Sequence, residues 1–201
     1  MVAFVAEVAT GGPARWGLSA HALMEGKFAT IATHMFSHAG PAHLLMNATA
    51  LPGFAGPVVR RLGWRASGIR RFALFFGLSG LAAAICFLLL NPNGSTPMVG
   101  ASGAICGLWG ACMRLAPAGE GGIRPIRDRA ILRELGAFAV SNVVLFAVLY
   151  VLSGGVGGLA WEAHLGGLLF GLLAFPLFVE KRVEALAVEN KGEVRLPDRP
   201  L

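Results

Sequence analysis

Between Phe72 and Leu90 the chain reads FALFFGLSGLAAAICFLLL, with no charged side chain anywhere in the run. A backbone surrounded by lipid finds no water, so such a stretch must close its own hydrogen bonds as a helix. Its length falls in the range of roughly 17–25 residues that cross a hydrocarbon core. Further apolar runs occupy Val99–Met113, Leu135–Leu152 and Leu159–Val179, and Thr33–Phe54 is apolar around His34, His38, His43 and Asn47. The expected fold is therefore all-α, a polytopic membrane helical bundle with five clear spans plus a truncated or missing first span. Met1–Ala9 is apolar but interrupted by Glu7 and followed by Gly11-Gly12-Pro13. It is too short to cross, and it lacks the basic flank of a signal peptide.

At 201 residues the chain is one domain by length. Hydrophobic residues make up 55% and charged residues 14%, a balance suited to lipid rather than water. The division expected is an N-terminal segment 1–26, a membrane domain 27–180 and a polar cytoplasmic tail 181–201. Cys86, Cys106 and Cys112 all fall inside apolar runs, without metal-type spacing, and read as small buried residues.

A net charge of +6 raises the question of nucleic acid. The distribution of the charge excludes it. Arg60, Arg61, Arg65, Arg70 and Arg71 lie between the first two clear runs. Arg114, Arg124, Arg127, Arg129 and Arg133 lie between the third and fourth, and Lys181, Arg182, Lys191, Arg195 and Arg199 follow the last. The alternate loops, Asn91–Met98 and Ser153–Gly158, contain no Lys or Arg. That alternation is the positive-inside pattern, which puts the basic loops in the cytoplasm. The expected surroundings are accordingly the lipid bilayer, with no nucleic-acid partner.

In this orientation the runs beginning near Thr33, Val99 and Leu159 all enter from the outer face. Ser102 and His164 then lie within the first turns of their helices. His43 and Asn47, four residues apart, share one helix face slightly deeper. Polar groups at that depth cost free energy unless they face the protein interior or a water-filled cavity. A hydroxyl and an imidazole meeting there are the parts of a serine hydrolase: Ser102 as nucleophile, His164 as its base. His43, Asn47 and the Ser102 backbone N–H are the candidate donors to a tetrahedral oxyanion. Gly100 and Gly103 clear the space beside the nucleophile. Gly103, Gly107 and Gly110 on one helix, with Gly167 and Gly171 on another, would allow close backbone approach.

The acids separate mechanisms. From Lys27 through Gly119 there is no Asp or Glu. Glu162, two residues before His164, points roughly to the opposite helix face and is poorly placed to orient that imidazole. A Ser-His dyad is expected rather than a triad with an acid. Paired membrane carboxylates and a His-Glu-x-x-His motif are both absent, which argues against aspartyl and zinc proteolysis. His34, His38 and His43 lack a carboxylate or thiolate companion, so no metal and no cofactor is expected.

Three motifs in this order resemble the rhomboid family of intramembrane serine proteases: His38-x4-His43-x3-Asn47, Gly100-x-Ser102-Gly103, and Ala163-His164-x2-Gly167-x3-Gly171. The similarity runs from about Gly26 to Glu180, and the context Pro97-Met98-Val99-Gly100-Ala101-Ser102-Gly103-Ala104-Ile105 looks most like bacterial members. The resemblance implies a helical bundle with a hydrated cavity open to the outside, in a bacterial inner membrane with the site on the periplasmic side. It implies cleavage of transmembrane or juxtamembrane segments that unwind locally, usually beside a small residue. Residues 27–180 would be the protease domain. By the match of motifs, Ser102 would be nucleophile, His164 base, and His43 and Asn47 oxyanion donors. His38 would be mainly structural, and His34 matches a further recurrent histidine.

Several positions depart from the family pattern. The first core span is missing or truncated, a Trp-Arg pair of the first outer loop is replaced by Phe28-Ala29, and a Glu after the second core span by Val59. An aromatic residue that packs on the catalytic histidine in some members is Cys106 here. The alternative reading keeps the fold and drops the chemistry, as a catalytically inactive rhomboid-like protein that binds membrane helices; intact Ser102 and His164 argue against it. A solute transporter would call for inverted repeats or charged midplane groups, and none is visible.

Overall fold

A computed structural model describes residues 2–117, 122–152, 154 and 158–180; the side chains of residues 2–4 and 152 are outside the description. The polar tail 181–201, with its basic residues, lies outside the described residues, as does most of the loop 153–158. Among the described residues the structure is helical, with no strand beyond two isolated antiparallel bridges, Leu18 to Met98 and Leu115 to Ile123.

Four short helices open the chain: α1 (Val2–Ala9), α2 (Gly12–Trp16), α3 (Ala20–Met24) and α4 (Thr30–Thr33). A 3-10 turn at His34–Phe36 leads to α5 (Pro41–Leu62). Then follow α6 (Ala66–Leu90), α7 (Ser102–Arg114), α8 (Arg129–Leu152) and α9 (Trp161–Ala174), which ends in a second 3-10 turn at Phe175–Phe178.

Helix boundaries follow local chemistry more than hydropathy. The apolar run from Thr33 becomes a long helix only at Pro41, which sits in the first turn where a missing N–H costs nothing. That helix continues through Pro52 and Pro57 to Leu62, past the expected end at Phe54. The long helix that was expected from Leu135 begins at Arg129, where the Asp128 carboxylate accepts from the Ala130 N–H at 2.8 Å. Pro176 has no N–H to continue the ladder, so α9 tightens into its 3-10 turn just before it.

Among the described residues three helices are long and apolar enough to cross a membrane: Ala66–Leu90, Arg129–Val151 and Trp161–Phe178, with mean hydropathies of 2.4, 1.9 and 1.4. The other two expected spans do not meet that description. Helix α7 has 13 residues, and α5 mixes His43, Asn47, Thr49 and two prolines into its apolar positions.

Helix α7 is the centre of the bundle. Gly103 through Leu108, Gly110, Ala111 and Met113 are buried, so α7 is covered on nearly every side by α5, α6 and α9. Phe75, Val58, Leu108 and Phe175 fill the core at one end. Leu18, Ala83, Phe87, Met98 and Ala163 fill it at the other. Helix α8 stands at the edge. It buries Ile131 and Phe138 against Cys106, Met113, Leu168 and Leu172, with Leu135 partly covered in the same stripe. Val140, Val143, Val144, Val148 and Val151 face outward. An apolar outer face of this kind is expected of a helix in lipid, not in water.

The N-terminal segment is knitted to the bundle. Leu18 exchanges backbone hydrogen bonds with Met98 at 2.9 and 2.8 Å. The Thr33 hydroxyl donates to the Trp16 carbonyl at 2.9 Å. Glu7, which reads in the sequence as an interruption of a weak apolar run, is fully buried. Its carboxylate accepts from the Ser37 hydroxyl at 2.6 Å and from the His38 backbone N–H at 3.1 Å. At eight residues α1 is about 12 Å long and does not span.

Candidate active site

Helices α7 and α9 cross backbone to backbone because their contact is built from glycine. A Cβ on Gly167 would fall on the carbonyl of Gly103, one on Gly171 on the carbonyl of Gly107, and one on Gly110 on the carbonyl of Leu168. Helix α6 closes on the same seam, with Ala83 against Gly103 and Ser79 against Gly107. Removing side chains from an apolar crossing brings the axes close and lets short residues at the helix ends meet.

Ser102 is the first residue of α7 and is half-buried; His164 lies in the first turn of α9 and is buried. Their side chains are in hydrogen-bond contact, His164 Nε2 to Ser102 Oγ at 2.8 Å. The opposite ring nitrogen, Nδ1, is 2.7 Å from Oδ1 of Asn142 on α8. Glu162 turns away, its carboxylate accepting from the Asn91 side chain at 3.2 Å. A hydroxyl paired to one imidazole nitrogen, with the other nitrogen also held, is the arrangement that general-base activation of an alcohol needs.

Helix α5 supplies the facing wall. A Cβ on Gly100 would stand 2.8 Å from His43 Nε2 and 3.4 Å from Asn47 Nδ2, so both side chains lie against the backbone two residues before Ser102. Gly100 has φ +107° and hands its N–H to the His34 carbonyl at 2.8 Å. Positive φ and the wall of His43 together leave room only for glycine. The Ala39 N–H donates to His43 Nδ1 at 3.3 Å, so the proton of the neutral ring belongs on Nε2, the nitrogen that faces Gly100. Asn47 is buried and donates one amide N–H to the His43 carbonyl at 3.2 Å. The His38 ring meets the His43 ring edge-on at 5.2 Å, and the His34 Nδ1 donates to the Thr30 carbonyl at 3.1 Å.

The structure thus gathers Ser102, His164, His43, Asn47, Gly100, Gly103, His38 and Gly167 at one end of the bundle. Two further residues belong to the cluster that motif reading passed over. Glu7 holds the segment before α5 from beneath. Asn142 touches the imidazole directly. Its signal was present: it follows Ile131, Leu135 and Phe138 on one helix face, a polar side chain on the stripe that α8 buries.

Among curated proteins none matches the sequence. A family model described as Rhomboid domain matches residues 25–181, a stretch that takes in α5 through α9 and, with them, Ser102, His164, His43 and Asn47. The chain belongs to the rhomboid family, and it is a membrane protein.

Proposed function

We propose that this protein is an intramembrane serine endopeptidase that cuts transmembrane or juxtamembrane segments of other membrane proteins. The observation that carries the reading is the 2.8 Å contact between His164 Nε2 and Ser102 Oγ across the α7–α9 seam. In the reaction, Nε2 takes the hydroxyl proton as Oγ attacks the scissile carbonyl. The oxyanion receives hydrogen bonds from His43 Nε2–H, an Asn47 amide N–H and the Ser102 backbone N–H, which opens α7 and has no intrahelical acceptor. The imidazolium returns its proton to the leaving amine. Water then enters and gives a proton to Nε2 as its oxygen attacks the acyl carbon; the bond from that carbon to Oγ breaks, the new carboxyl end leaves, and Nε2 returns the proton to Oγ.

Topology supports a site sunk below the outer surface. His43, Ser102 and His164 all lie near the N-termini of α5, α7 and α9, while the other ends of α5 and α7 carry Arg60, Arg61 and Arg114. With the basic ends in the cytoplasm, the site opens outward, to the periplasm of a bacterial inner membrane. Five helices, α5 to α9, would embed. A helix of 13 residues is about 20 Å long, shorter than a hydrocarbon core of about 30 Å, so α7 ends within the layer. Residues 27–180 would form the proteolytic unit, with peptide segments as substrate and lipid as surroundings.

A fluorophosphonate probe tests this, since it reacts only with an activated serine. Labelling of the wild type should vanish in both Ser102→Ala and His164→Ala. Labelling that persists in both refutes the dyad, and an unlabelled wild type would favour an inactive helix-binding homologue.

A further inference from the structure

The contact between Asn142 and His164 is polar chemistry on the otherwise apolar stripe that α8 packs on the bundle; elsewhere on α8 the Glu134 carboxylate accepts from the Trp109 indole N–H at 3.3 Å. Ile131, Leu135 and Phe138 run along one face of α8 and pack on α7 and α9; Asn142 lies one turn beyond Phe138 on that face. Its amide orientation follows from its neighbours. The Phe138 carbonyl, 2.9 Å away, only accepts, so the Nδ2 end must face it. Oδ1 is therefore the atom that meets the imidazole, at 2.7 Å. An amide oxygen only accepts as well. Nδ1 of His164 consequently carries a hydrogen, and Nε2 of the neutral ring carries the lone pair that faces Ser102 Oγ.

We propose that Asn142 is a positioning residue for His164, holding the ring in the Nδ1–H tautomer and in the rotamer that aims Nε2 at Ser102. This rests on the dyad reading above and deepens it: the working unit is Ser102, His164 and a neutral amide, drawn from three helices. During attack the serine proton moves to Nε2, and the Nδ1–H stays on Asn142 Oδ1 throughout, so the amide neither gains nor loses a proton. A neutral acceptor fixes orientation without adding a full negative charge beside the buried ring, where an unpaired carboxylate would be costly. Of the titratable groups on the elements around the ring, His43 of α5 acts on it directly, Cys106 of α7 is buried with Phe138 and Leu168, Cys86 of α6 lies against Gly166, and Glu162 is engaged by Asn91. None of these touches Nδ1 in place of Asn142 among the described residues.

The test is the rate of fluorophosphonate labelling of the full chain in lipid nanodiscs, followed from about pH 5 to about pH 9, the range in which histidine titrates. Asn142→Ala should label about 10-fold or more slowly on the plateau, because the ring loses its preferred tautomer and orientation. Its acidic limb should move to lower pH, since the imidazolium loses an acceptor. Asn142→Asp keeps an oxygen acceptor and adds charge, so it should retain labelling and move the acidic limb to higher pH. A packing role alone would not shift the two variants in opposite directions. The proposal is overturned by a wild-type rate and profile in Asn142→Ala, by limbs that move together, or by loss of labelling in both variants. Labelling that survives in Ser102→Ala would instead remove the nucleophile reading, a separate failure.

Discussion

Glu7 and Ser37, thirty positions apart in the chain, are joined by a 2.6 Å hydrogen bond in a fully buried pocket. The same carboxylate holds the backbone N–H of His38, whose ring packs on His43. The N-terminal helix is thereby connected, through one acid, to the wall that faces Ser102. Removing the acid strands two buried donors, at a cost of about 1–3 kcal/mol for each such group. Glu7→Ala should lower stability by about 2 kcal/mol or more in mixed-micelle unfolding, and slow probe labelling. Glu7→Gln, which keeps one oxygen acceptor, should lose about half as much. Equal stability of wild type and Glu7→Ala would show the pocket to be incidental.

The α7–α9 seam makes a second prediction. A methyl on Gly171 must push α9 away from the Gly107 carbonyl, and one on Gly167 away from that of Gly103. Gly171→Ala or Gly167→Ala should destabilise by about 1–3 kcal/mol and reduce labelling of Ser102 by about 10-fold or more, since misplacing reacting groups by a fraction of an ångström is costly. A Cβ on Gly136 of α8 would meet nothing within 4 Å. Gly136→Ala should be neutral or stabilising, by up to about 1 kcal/mol. If both kinds of variant behave alike, close approach of the two backbones does not govern the pairing.

Gly100 combines φ +107° with the His43 ring 2.8 Å from where a Cβ would stand. Gly100→Ala therefore meets backbone strain of about 1–2 kcal/mol and must displace a proposed oxyanion donor. The expected readout is a fall in kcat for a model membrane substrate exceeding any change in KM. An unaltered kcat would mean that this wall does not touch the reaction.

Asn47→Ala isolates one donor. Since an oxyanion donor acts mainly on the transition state, kcat should drop by about 10²–10³, with apparent substrate affinity nearly constant. Asn47 also bonds the His43 carbonyl within its own helix, so circular dichroism should accompany the kinetics. Retained turnover with intact helicity would exclude Asn47 from the site.

Much of the site was legible because its residues come as spaced motifs inside apolar helices. Ser102, His164, His43 and Asn47 each stand out against lipid-compatible neighbours, and the glycine spacings on α7 and α9 show where two backbones can touch. Asn142 was less legible. A lone amide among valines and leucines has no motif, and its meaning depends on α8 lying beside α9. Glu7 was read as a flaw in a failed span, because nothing local reveals the Ser37 hydroxyl and His38 N–H that receive it. The expected start of a span at Thr33 also missed Pro41, where the helix forms, since hydropathy is blind to the 3-10 turn and the loop before it.

Apolar run length and the placement of arginines were enough to determine a membrane chain with its polar residues collected toward one end. Both are properties of the solvent each segment requires, and that requirement is written residue by residue. Only the tertiary structure decided that α7 lies at the centre of the bundle, that an asparagine from a third helix holds the imidazole, and that an acid from the first helix supports the opposite wall. Those outcomes depend on which helix faces meet, and a facing surface is a relation between distant segments that no single stretch of chain contains.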